Sequence, residues 1–206
     1  SGANSLRFYG YTSGSTTYGD QYAIMRAVDT TTYPIQSLQL KFKARKYSTY
    51  PFDLVVGVMS DFRDTSTFVP VQTISPSGTS YEDFTVYFNS YPGGGKYIAM
   101  MVHKPSSSYN AGNVDDIELS LAPSCAPVSD LQAALVTTNS IDMVWTSNGN
   151  ESDWTIEYRS ETDDNWNQAF AATTPTVTLT NLLPSTNYLI RVKAVCDGNT
   201  ESIWSN

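Results

Sequence analysis

Alternation of apolar and polar residues is the feature of this sequence that most constrains its fold. The stretch IQSLQLKFKARK places an apolar residue at every second position between Leu38 and Ala44. A period of two is typical of a β-strand with one buried and one solvated face. The apolar positions of three such stretches are Leu38, Leu40, Phe42 and Ala44, then Phe84, Val86 and Phe88, then Ile117, Leu119 and Leu121.

Two unbroken apolar runs, 54–59 (LVVGVM) and 97–102 (YIAMMV), predict strands that are buried on both faces. Together with SLRFYG and QYAIMRA near the start, the patterns predict about seven or eight strands before residue 122. None of these segments has a helical period. Short antiparallel strands joined by polar loops favour a two-sheet sandwich or jelly roll, so we expect an all-β protein.

A break in the pattern at LAPSCAPV predicts a domain boundary. Pro123 and Pro127 in this segment have no backbone N–H to donate to a strand ladder. A length of 206 residues is enough for two small domains. We therefore predict domains at 1–122 and 123–206.

The second segment resembles the fibronectin type III family. Trp145 lies on the alternating stretch IDMVW, DWTIEYR follows, and NLLPSTNYLIRVKAV combines a Leu-x-Pro turn with a tyrosine. The resemblance implies an immunoglobulin-like β-sandwich in which Trp145 is the core tryptophan, Leu183 the corner leucine and Tyr188 the tyrosine of the tyrosine corner. The stretch SIWSN is where the seventh strand of this family should begin, so we expect the recorded chain to be a fragment or trimmed there.

The two cysteines, Cys125 and Cys196, are too few for a cysteine-rich scaffold, and their number alone leaves one disulfide or two free thiols open. The resemblance to fibronectin type III domains implies that they lie at the same pole of the sandwich. It therefore implies a disulfide between them and export to an oxidising compartment.

The first segment resembles the jelly-roll modules of bacterial surface proteins, including the cleaved adhesin domains of gingipain-type proteases and MAM-like sandwiches. The stretches that carry this resemblance are NSLRFYG, LVVGVMSDFRDTSTFVPVQTI, YIAMMV and VDDIEL. The resemblance implies an adhesion module with a structural calcium ion between its last strand and its amino-terminal segment.

Asp115 and Asp116, at the start of the stretch DDIEL, are the candidate calcium ligands. The phase of Ile117 and Leu119 predicts that Asp115 points toward the core and Asp116 away from it. Asn4 and Ser5 are the local oxygen donors that stand where the family has an acidic residue. The alternative is that the carboxylate of Asp115 accepts hydrogen bonds from loop amides and holds no metal.

The same pair is unsuited to catalysis of glycoside hydrolysis, because adjacent strand residues point to opposite faces and the reaction needs two facing carboxyl groups. His103 is the single histidine, and no serine or cysteine near it has the context of a nucleophile. The motif PGGGK at 92–96 lacks the spacing of a phosphate-binding loop and predicts a turn between strands. We therefore expect no enzymatic activity in this chain.

A formal net charge of −8 and a pI near 4.5 disfavour nucleic acid as a partner, and no apolar run is long enough to insert into a membrane. Exposed aromatic rings are the remaining functional signal, because they stack on sugar faces and also serve protein interfaces. The candidate ligand-binding residues are Tyr9, Tyr11, Tyr50 and Tyr109, and Tyr18, Tyr22 and Tyr47 are further tyrosines of the same stretches.

These observations predict a secreted or cell-surface, non-catalytic module that binds glycan or extracellular protein within a longer bacterial polypeptide. Two alternatives stay open: an accessory region of a secreted glycoside hydrolase or protease, and a structural spacer without a ligand. The oligomeric state is not predicted.

Overall fold

The computed structural model describes residues 5–13, 16–17, 19–103, 109–149, 151–166, 170–197 and 200–205, with the backbone alone for 11–13 and 16–17. The chain divides into two compact units, Ser1–Ala122 and Pro123–Asn206. Both units are built from β-strands, and the fold is all-β as the sequence predicts. Among the described residues, no helix is long and apolar enough to cross a membrane.

The first unit contains nine strands in its described residues, and two short 3-10 helices lie at Ile35–Ser37 and Thr65–Thr67. The strands are β1 (Leu6–Ser13), β2 (Thr16–Thr17), β3 (Gln21–Ile24), β4 (Leu38–Lys46), β5 (Leu54–Met59), β6 (Val69–Ile74), β7 (Glu82–Tyr87), β8 (Tyr97–Val102) and β9 (Tyr109–Leu121).

These strands form two antiparallel sheets that pack face to face. The first sheet has the order β2-β1-β9-β4-β7, and the second has the order β3-β8-β5-β6. Apart from the short β2, successive strands switch between the sheets except at the hairpin of β5 and β6, which is the arrangement of a jelly roll with two Greek keys. The fold class predicted for residues 1–122 is therefore confirmed.

The core of the first unit follows from the alternation in the sequence. Leu40, Ala44 and Val86 have no exposed surface, and Leu38 and Phe42 are at most 4% exposed. They pack against Val56, Val58, Ile98 and Met100 from the second sheet. Removal of this apolar surface from water is the main favourable term in the folding of such a sandwich.

The two unbroken apolar runs are buried on both faces, as predicted. β5 is buried along its whole length, and β8 is buried from Ile98 to Val102. On the outer side of β5, the ring of Phe68 lies so close to Gly57 that a Cβ at this position would be 2.6 Å from its Cζ. The segment after β5 therefore folds back over the strand and covers it.

The turn predicted at 92–96 also lies between strands, after β7 and before β8. Gly93 and Gly94 have φ angles of 99° and 91° there, in the region that favours glycine.

The second unit is a sandwich of two three-stranded antiparallel sheets. Its strands are β10 (Ser129–Val136), β11 (Ser140–Thr146), β12 (Asp153–Ser160), β13 (Phe170–Ala172), β14 (Thr176–Thr180) and β15 (Tyr188–Val195). The sheet orders are β10-β11-β14 and β13-β12-β15. Trp145 and Trp154 pack edge to face in the core at a centroid separation of 5.8 Å.

The predicted tyrosine corner is present in the second unit. The hydroxyl of Tyr188 accepts a hydrogen bond from the backbone N–H of Leu183 at 2.8 Å. The assignment of Leu183 as the buried corner leucine is wrong, because its side chain is 68% exposed whereas Leu182 is 6% exposed and packs in the core. The Leu-x-Pro pattern itself points to Leu182, which lies two positions before Pro184.

The disulfide between Cys125 and Cys196 is also present, with the Cα atoms 5.8 Å apart. It links residues 71 positions apart, and a loop of that size lowers the entropy of the unfolded chain by the equivalent of about 4 kcal/mol.

Residues 202–205 lie alongside β15, where the next strand was expected to begin. The N–H groups of Ser202 and Ser205 donate to the carbonyls of Ala194 and Val192 at 3.0 and 2.8 Å. Their hydroxyls accept from the N–H groups of the same two residues at 2.9 and 3.0 Å. The serine side chains therefore satisfy backbone donors at the edge of β15.

Candidate functional site

The outer face of the five-stranded sheet is where most of the predicted binding residues meet. Ala44 on β4 and Val114 on β9 are paired and both point into the core. Because successive side chains on a strand point to opposite faces, the neighbours of these residues point outward. The outward positions of the three central strands are Arg7 and Tyr9 on β1, Ala111, Asn113 and Asp115 on β9, and Lys43 and Arg45 on β4.

Four tyrosines form a continuous aromatic cluster on this face. The ring of Tyr9 lies edge-on to Tyr47 and Tyr109, at centroid separations of 6.2 and 5.9 Å. Tyr50 lies 4.2 Å from Tyr109. Tyr9 and Tyr47 are 42% and 43% exposed, so the cluster presents ring surface to solvent. We call the side chains of Tyr9, Tyr47, Tyr50 and Tyr109 the tyrosine face.

The backbone of Ala111 on β9 supports the tyrosine face. Ala111 is fully buried although it points outward, and its small side chain leaves room for rings above it. Its C=O accepts from the N–H of Tyr47 at 3.0 Å, and its N–H donates to the C=O of Pro51 at 3.1 Å. The segment that carries Tyr47 and Tyr50 is therefore tied to β9 at both ends.

The same segment is anchored from the core side by Phe52. Its ring is 1% exposed and occupies the space next to Gly112, where a Cβ would lie 2.2 to 2.4 Å from three ring atoms. Glycine at position 112 is thus required by the close approach of the ring to the backbone. This contact fixes the position of the segment relative to β9.

Gln21 fixes the backbone at Tyr9 from the other side. Its side-chain oxygen accepts from the N–H of Tyr9 at 2.9 Å, and its side-chain nitrogen donates to the C=O of Tyr9 at 2.8 Å. The amide group replaces the hydrogen bonds that a neighbouring strand would make.

Two arginines flank the tyrosine face on either side of Asn113, with which both are paired across the strands. The guanidinium of Arg7 lies 4.5 Å from the ring centroid of Tyr47. The guanidinium of Arg45 lies 4.7 Å from the centroid of Tyr81, and its Nη1 donates to the C=O of Thr79 at 3.3 Å. Cationic groups are thus placed directly beside aromatic surface.

Asn113 lies between the two arginines and is 2% exposed. Its Nδ2 donates to the hydroxyl of Ser5 at 3.0 Å. Within the described part of the chain, its Oδ1 and the Nε of Arg45 are buried without a hydrogen-bond partner. These two atoms belong to directly opposed residues on β9 and β4.

The structure brings Tyr9, Tyr50 and Tyr109 together, as far as the predicted binding residues are described. The backbone of Tyr11 pairs with Tyr109 on β9, but its side chain lies outside the described residues. Sequence analysis missed Arg7 and Arg45. The alternation of SLRFYG and KFKARK contained the signal, since it places each arginine on the polar, outward phase of its strand.

The predicted inward direction of Asp115 is wrong because β9 contains a β-bulge, whereas Asp116 points away from the core as predicted. Lys41 pairs with Glu118 and Lys43 with Asp115, so two residues of β9, Asp116 and Ile117, face one residue of β4. The extra residue reverses the alternation, and Asp115 points to the outer side with Lys43. Asp116 adopts a φ of 50°, which aspartate tolerates better than most residues.

The carboxylate of Asp116 forms an ion pair with Lys43, at 2.8 Å from Nζ. The hydrogen bond and the charge of Lys43 lower the pKa of Asp116, and the same contact raises the pKa of Lys43. Asp115 accepts a hydrogen bond from the N–H of Asp116 at 3.0 Å, an amide of β9 itself and not one of the loop amides of the alternative.

These carboxylates do not by themselves fit a calcium ion, which takes six to eight oxygen ligands. An ammonium group already binds Asp116, and the described residues contain no cluster of three or more His, Cys, Asp or Glu side chains. Ser5 contacts Asn113, and Asn4 lies outside the described residues. Calcium binding by Asp115 and Asp116 stays a prediction, and the proposed function does not depend on it.

His103 lies at the end of β8 with its side chain 65% exposed, and its Nδ1 is 3.4 Å from Oδ2 of Asp20. This position agrees with the surface role that the sequence predicts.

The second unit carries a stacked cation that sequence analysis did not identify. The guanidinium of Arg191 lies 3.9 Å from the ring centroid of Trp166 and 4.2 Å from that of Trp204. Its Nε donates to the carboxylate of Glu157 at 2.9 Å. Stacking and ion pairing together hold the two indoles against the β13-β12-β15 sheet.

Comparison with known proteins identifies the second unit. The fibronectin type III domain model matches residues 126–206. A search of the curated proteins finds no match.

Among solved structures, the fibronectin type III domain of human collagen alpha-1(XX) is 22% identical, with 42% of this chain and 84% of that chain covered and a TM-score of 0.37. The structure of titin kinase with its flanking domains is 24% identical over 41% of this chain, which spans 16% of that structure, with a TM-score of 0.35. The glycoside hydrolase domain of Endo-D from Streptococcus pneumoniae R6 is 14% identical, with 99% of this chain and 33% of that chain covered and a TM-score of 0.36.

The resemblance of residues 1–122 to cleaved-adhesin and MAM-like modules stays a prediction. For the second unit, the family match agrees with the tyrosine corner at Tyr188 and with the paired three-stranded sheets. Such domains are generally non-catalytic modules of larger extracellular proteins, and they mediate protein interactions. The fibronectin type III family is the one whose model matches residues 126–206 of this chain.

Proposed function

We propose that this chain is a secreted or surface-displayed, non-catalytic recognition region and that the tyrosine face of its jelly-roll unit binds glycan. The observation that carries the proposal is the convergence of Tyr9, Tyr47, Tyr50 and Tyr109 on one solvent-exposed sheet face.

The chemistry of the face suits a sugar. Ring faces and edges pack against the C–H groups of a pyranose, and the phenol hydroxyls and nearby guanidinium groups donate hydrogen bonds to its hydroxyls. A partly exposed face that combines apolar rings with polar tips fits a ligand of mixed polarity. Among extracellular ligands, glycans match this combination better than a large apolar protein surface does.

The contacts that hold the tyrosine face in position also favour ligand binding. Tyr9 and Tyr109 lie on strands, and the loop that carries Tyr47 and Tyr50 is held by hydrogen bonds to Ala111 and by the buried ring of Phe52. A pre-organised site loses less conformational entropy when a ligand binds.

Export is supported by the second unit. The disulfide between Cys125 and Cys196 is of the kind that persists in oxidising compartments, and fibronectin type III domains are typical of extracellular proteins.

The test is a glycan-array screen of the purified chain, followed by calorimetric titration of the strongest ligand. The variants Tyr109→Ala and Tyr50→Ala should weaken binding by about tenfold or more, since central aromatic residues dominate such interfaces. Tyr33→Ala is the matched control, because Tyr33 is 48% exposed and belongs to the turn after Asp29.

A parallel screen of extracellular matrix proteins separates the two ligand classes. Glycan binding that depends on Tyr109 and not on Tyr33 supports the proposal. Binding of a matrix protein alone, or of no ligand by a correctly folded sample, contradicts it.

A further inference from the structure

The two arginines beside the tyrosine face define the charge of the ligand, and this inference rests on the function proposed above. We infer that the glycan bound there is acidic, with its anionic group held between Arg7 and Arg45 and its sugar ring on the tyrosines.

Arg7 is available to a ligand. Its side chain is exposed, and it stacks on Tyr47 without an ion pair to any carboxylate of the described residues. No hydrogen bond links its guanidinium to another described side chain. Five N–H donors of a rigid, planar group therefore face solvent next to aromatic surface.

Arg45 is held in place for the same ligand. Its contacts with Tyr81 and with the C=O of Thr79 use part of its donor set and fix its orientation. Arg7 on β1 and Arg45 on β4 both pair with Asn113 on the strand between them, β9. The Cα atoms of the two arginines therefore lie about 10 Å apart. The guanidinium of Arg7 lies on the ring of Tyr47, and that of Arg45 lies on the ring of Tyr81.

Among the described residues, neither Arg7 nor Arg45 forms an ion pair with a carboxylate. Lys43 lies in the adjacent row of the sheet, pairs with Asp116 and also interacts electrostatically with Asp83 and Asp115. The row that contains Arg7 and Arg45 has no carboxylate on β1, β9 or β4. A local cationic site thus exists on a chain whose formal net charge is −8.

The spacing of the site matches one sugar residue. Arg7 and Tyr9 point the same way on β1 and are two positions apart, which corresponds to about 7 Å along the strand. A pyranose ring stacked on Tyr9 therefore places a carboxylate or a sulfate ester within reach of the Arg7 guanidinium. Arginine binds both of these anions through paired N–H groups.

The test compares charged and neutral ligands of the same backbone by calorimetric titration of the whole chain. Polygalacturonate is paired with its methyl ester, and dextran sulfate is paired with dextran, so each pair differs in charge alone. We expect the charged member of one pair to bind about tenfold or more tightly, from the strength of a charge-assisted hydrogen bond. The pair that shows the preference identifies the anion as carboxylate or sulfate.

Variants then assign the preference to the site. Arg7→Gln should remove the preference for the charged ligand. Arg7→Lys should keep only part of that preference, because lysine lacks the planar pair of donors. Arg63→Gln is the matched control, since Arg63 also stacks on an aromatic ring, that of Phe62, at 5.1 Å but lies between β5 and β6. Circular dichroism verifies that each variant is folded.

Equal affinity for the charged and neutral members, with both weakened by Tyr109→Ala, overturns the inference and leaves the proposed function standing. A charge preference that Arg7→Gln and Arg63→Gln reduce alike also overturns it, because the attraction is then not local. Absence of any binding that depends on Tyr109 overturns the inference together with the proposed function.

Discussion

Replacement of Gly112 by alanine should destabilise the jelly-roll unit and disturb the tyrosine face at the same time. The new Cβ would lie 2.2, 2.3 and 2.4 Å from three ring atoms of Phe52, whereas carbon atoms in contact are about 3.5 to 4.0 Å apart. The ring must therefore move by more than about 1 Å, and it is 1% exposed in a filled core. Overpacking of this kind costs about 1 to 3 kcal/mol.

The consequence for binding follows from the chain connection. Phe52 succeeds Pro51, whose carbonyl is bonded to Ala111, and the segment between Tyr47 and Pro51 carries Tyr50. Displacement of the ring moves this segment relative to β9. Gly112→Ala should therefore lower glycan affinity in addition to stability, although Gly112 itself points into the core.

The assay uses the uneven distribution of aromatic residues. All four tryptophans lie beyond residue 123, and twelve of the fourteen tyrosines lie before it. In urea unfolding, tryptophan fluorescence reports the second unit and near-ultraviolet tyrosine dichroism reports mainly the first. Gly112→Ala should shift the tyrosine transition to lower urea and leave the tryptophan transition unchanged. Gly78→Ala is the control, because its Cβ would meet no atom within 4 Å. Equal midpoints for Gly112→Ala and the native chain would refute the packing argument.

Three further outcomes are expected. Tyr188→Phe removes the bond to the Leu183 N–H and should destabilise the second unit by about 1 kcal/mol in tryptophan-monitored unfolding, and an unchanged midpoint would contradict the role of the tyrosine corner. Removal of the disulfide with Cys125→Ala and Cys196→Ala together should cost the same unit about 4 kcal/mol, and a loss below about 1 kcal/mol would contradict the loop-entropy account. Because Lys43 lowers the pKa of Asp116, the ion pair of these two residues stabilises the fold at pH values above the ordinary aspartate pKa, and this stabilisation is lost as the pH falls through the lowered pKa. In an NMR titration, Lys43→Met should raise the pKa of Asp116. An unchanged pKa would disprove the coupling.

Much of the fold follows from local patterns. The alternation in β4 predicts its buried face because a period of two maps directly onto the two sides of a strand, and Leu40 and Ala44 are fully buried. The β-bulge at Asp116 was not predictable in the same way, since one extra residue reverses the phase without any change in local composition. The assignment of Leu183 as the corner leucine failed for a different reason, because the Leu-x-Pro pattern already places Leu182 two positions before Pro184.

The site was only partly predictable because it depends on pairing between distant strands. Tyr9 and Tyr109 are 100 positions apart in sequence, and only the pairing of β1 with β9 places them side by side. Tyr9 lies in the predicted strand SLRFYG, whereas Tyr50 and Tyr109 lie in polar stretches between predicted strands. Their assembly with Arg7 and Arg45 requires the register of three strands, and a single sequence does not determine register between non-adjacent segments.

The most direct test of the central claim is to map the glycan-binding surface by NMR. Amide chemical shifts of the isotope-labelled chain are followed while the strongest array ligand is added. The account predicts saturable shifts that are concentrated at Tyr9, in the segment 47–50 and around Tyr109 to Asn113, with the second unit unaffected. Shifts confined to the second unit, or to a part of the first unit remote from the tyrosine face, would contradict it.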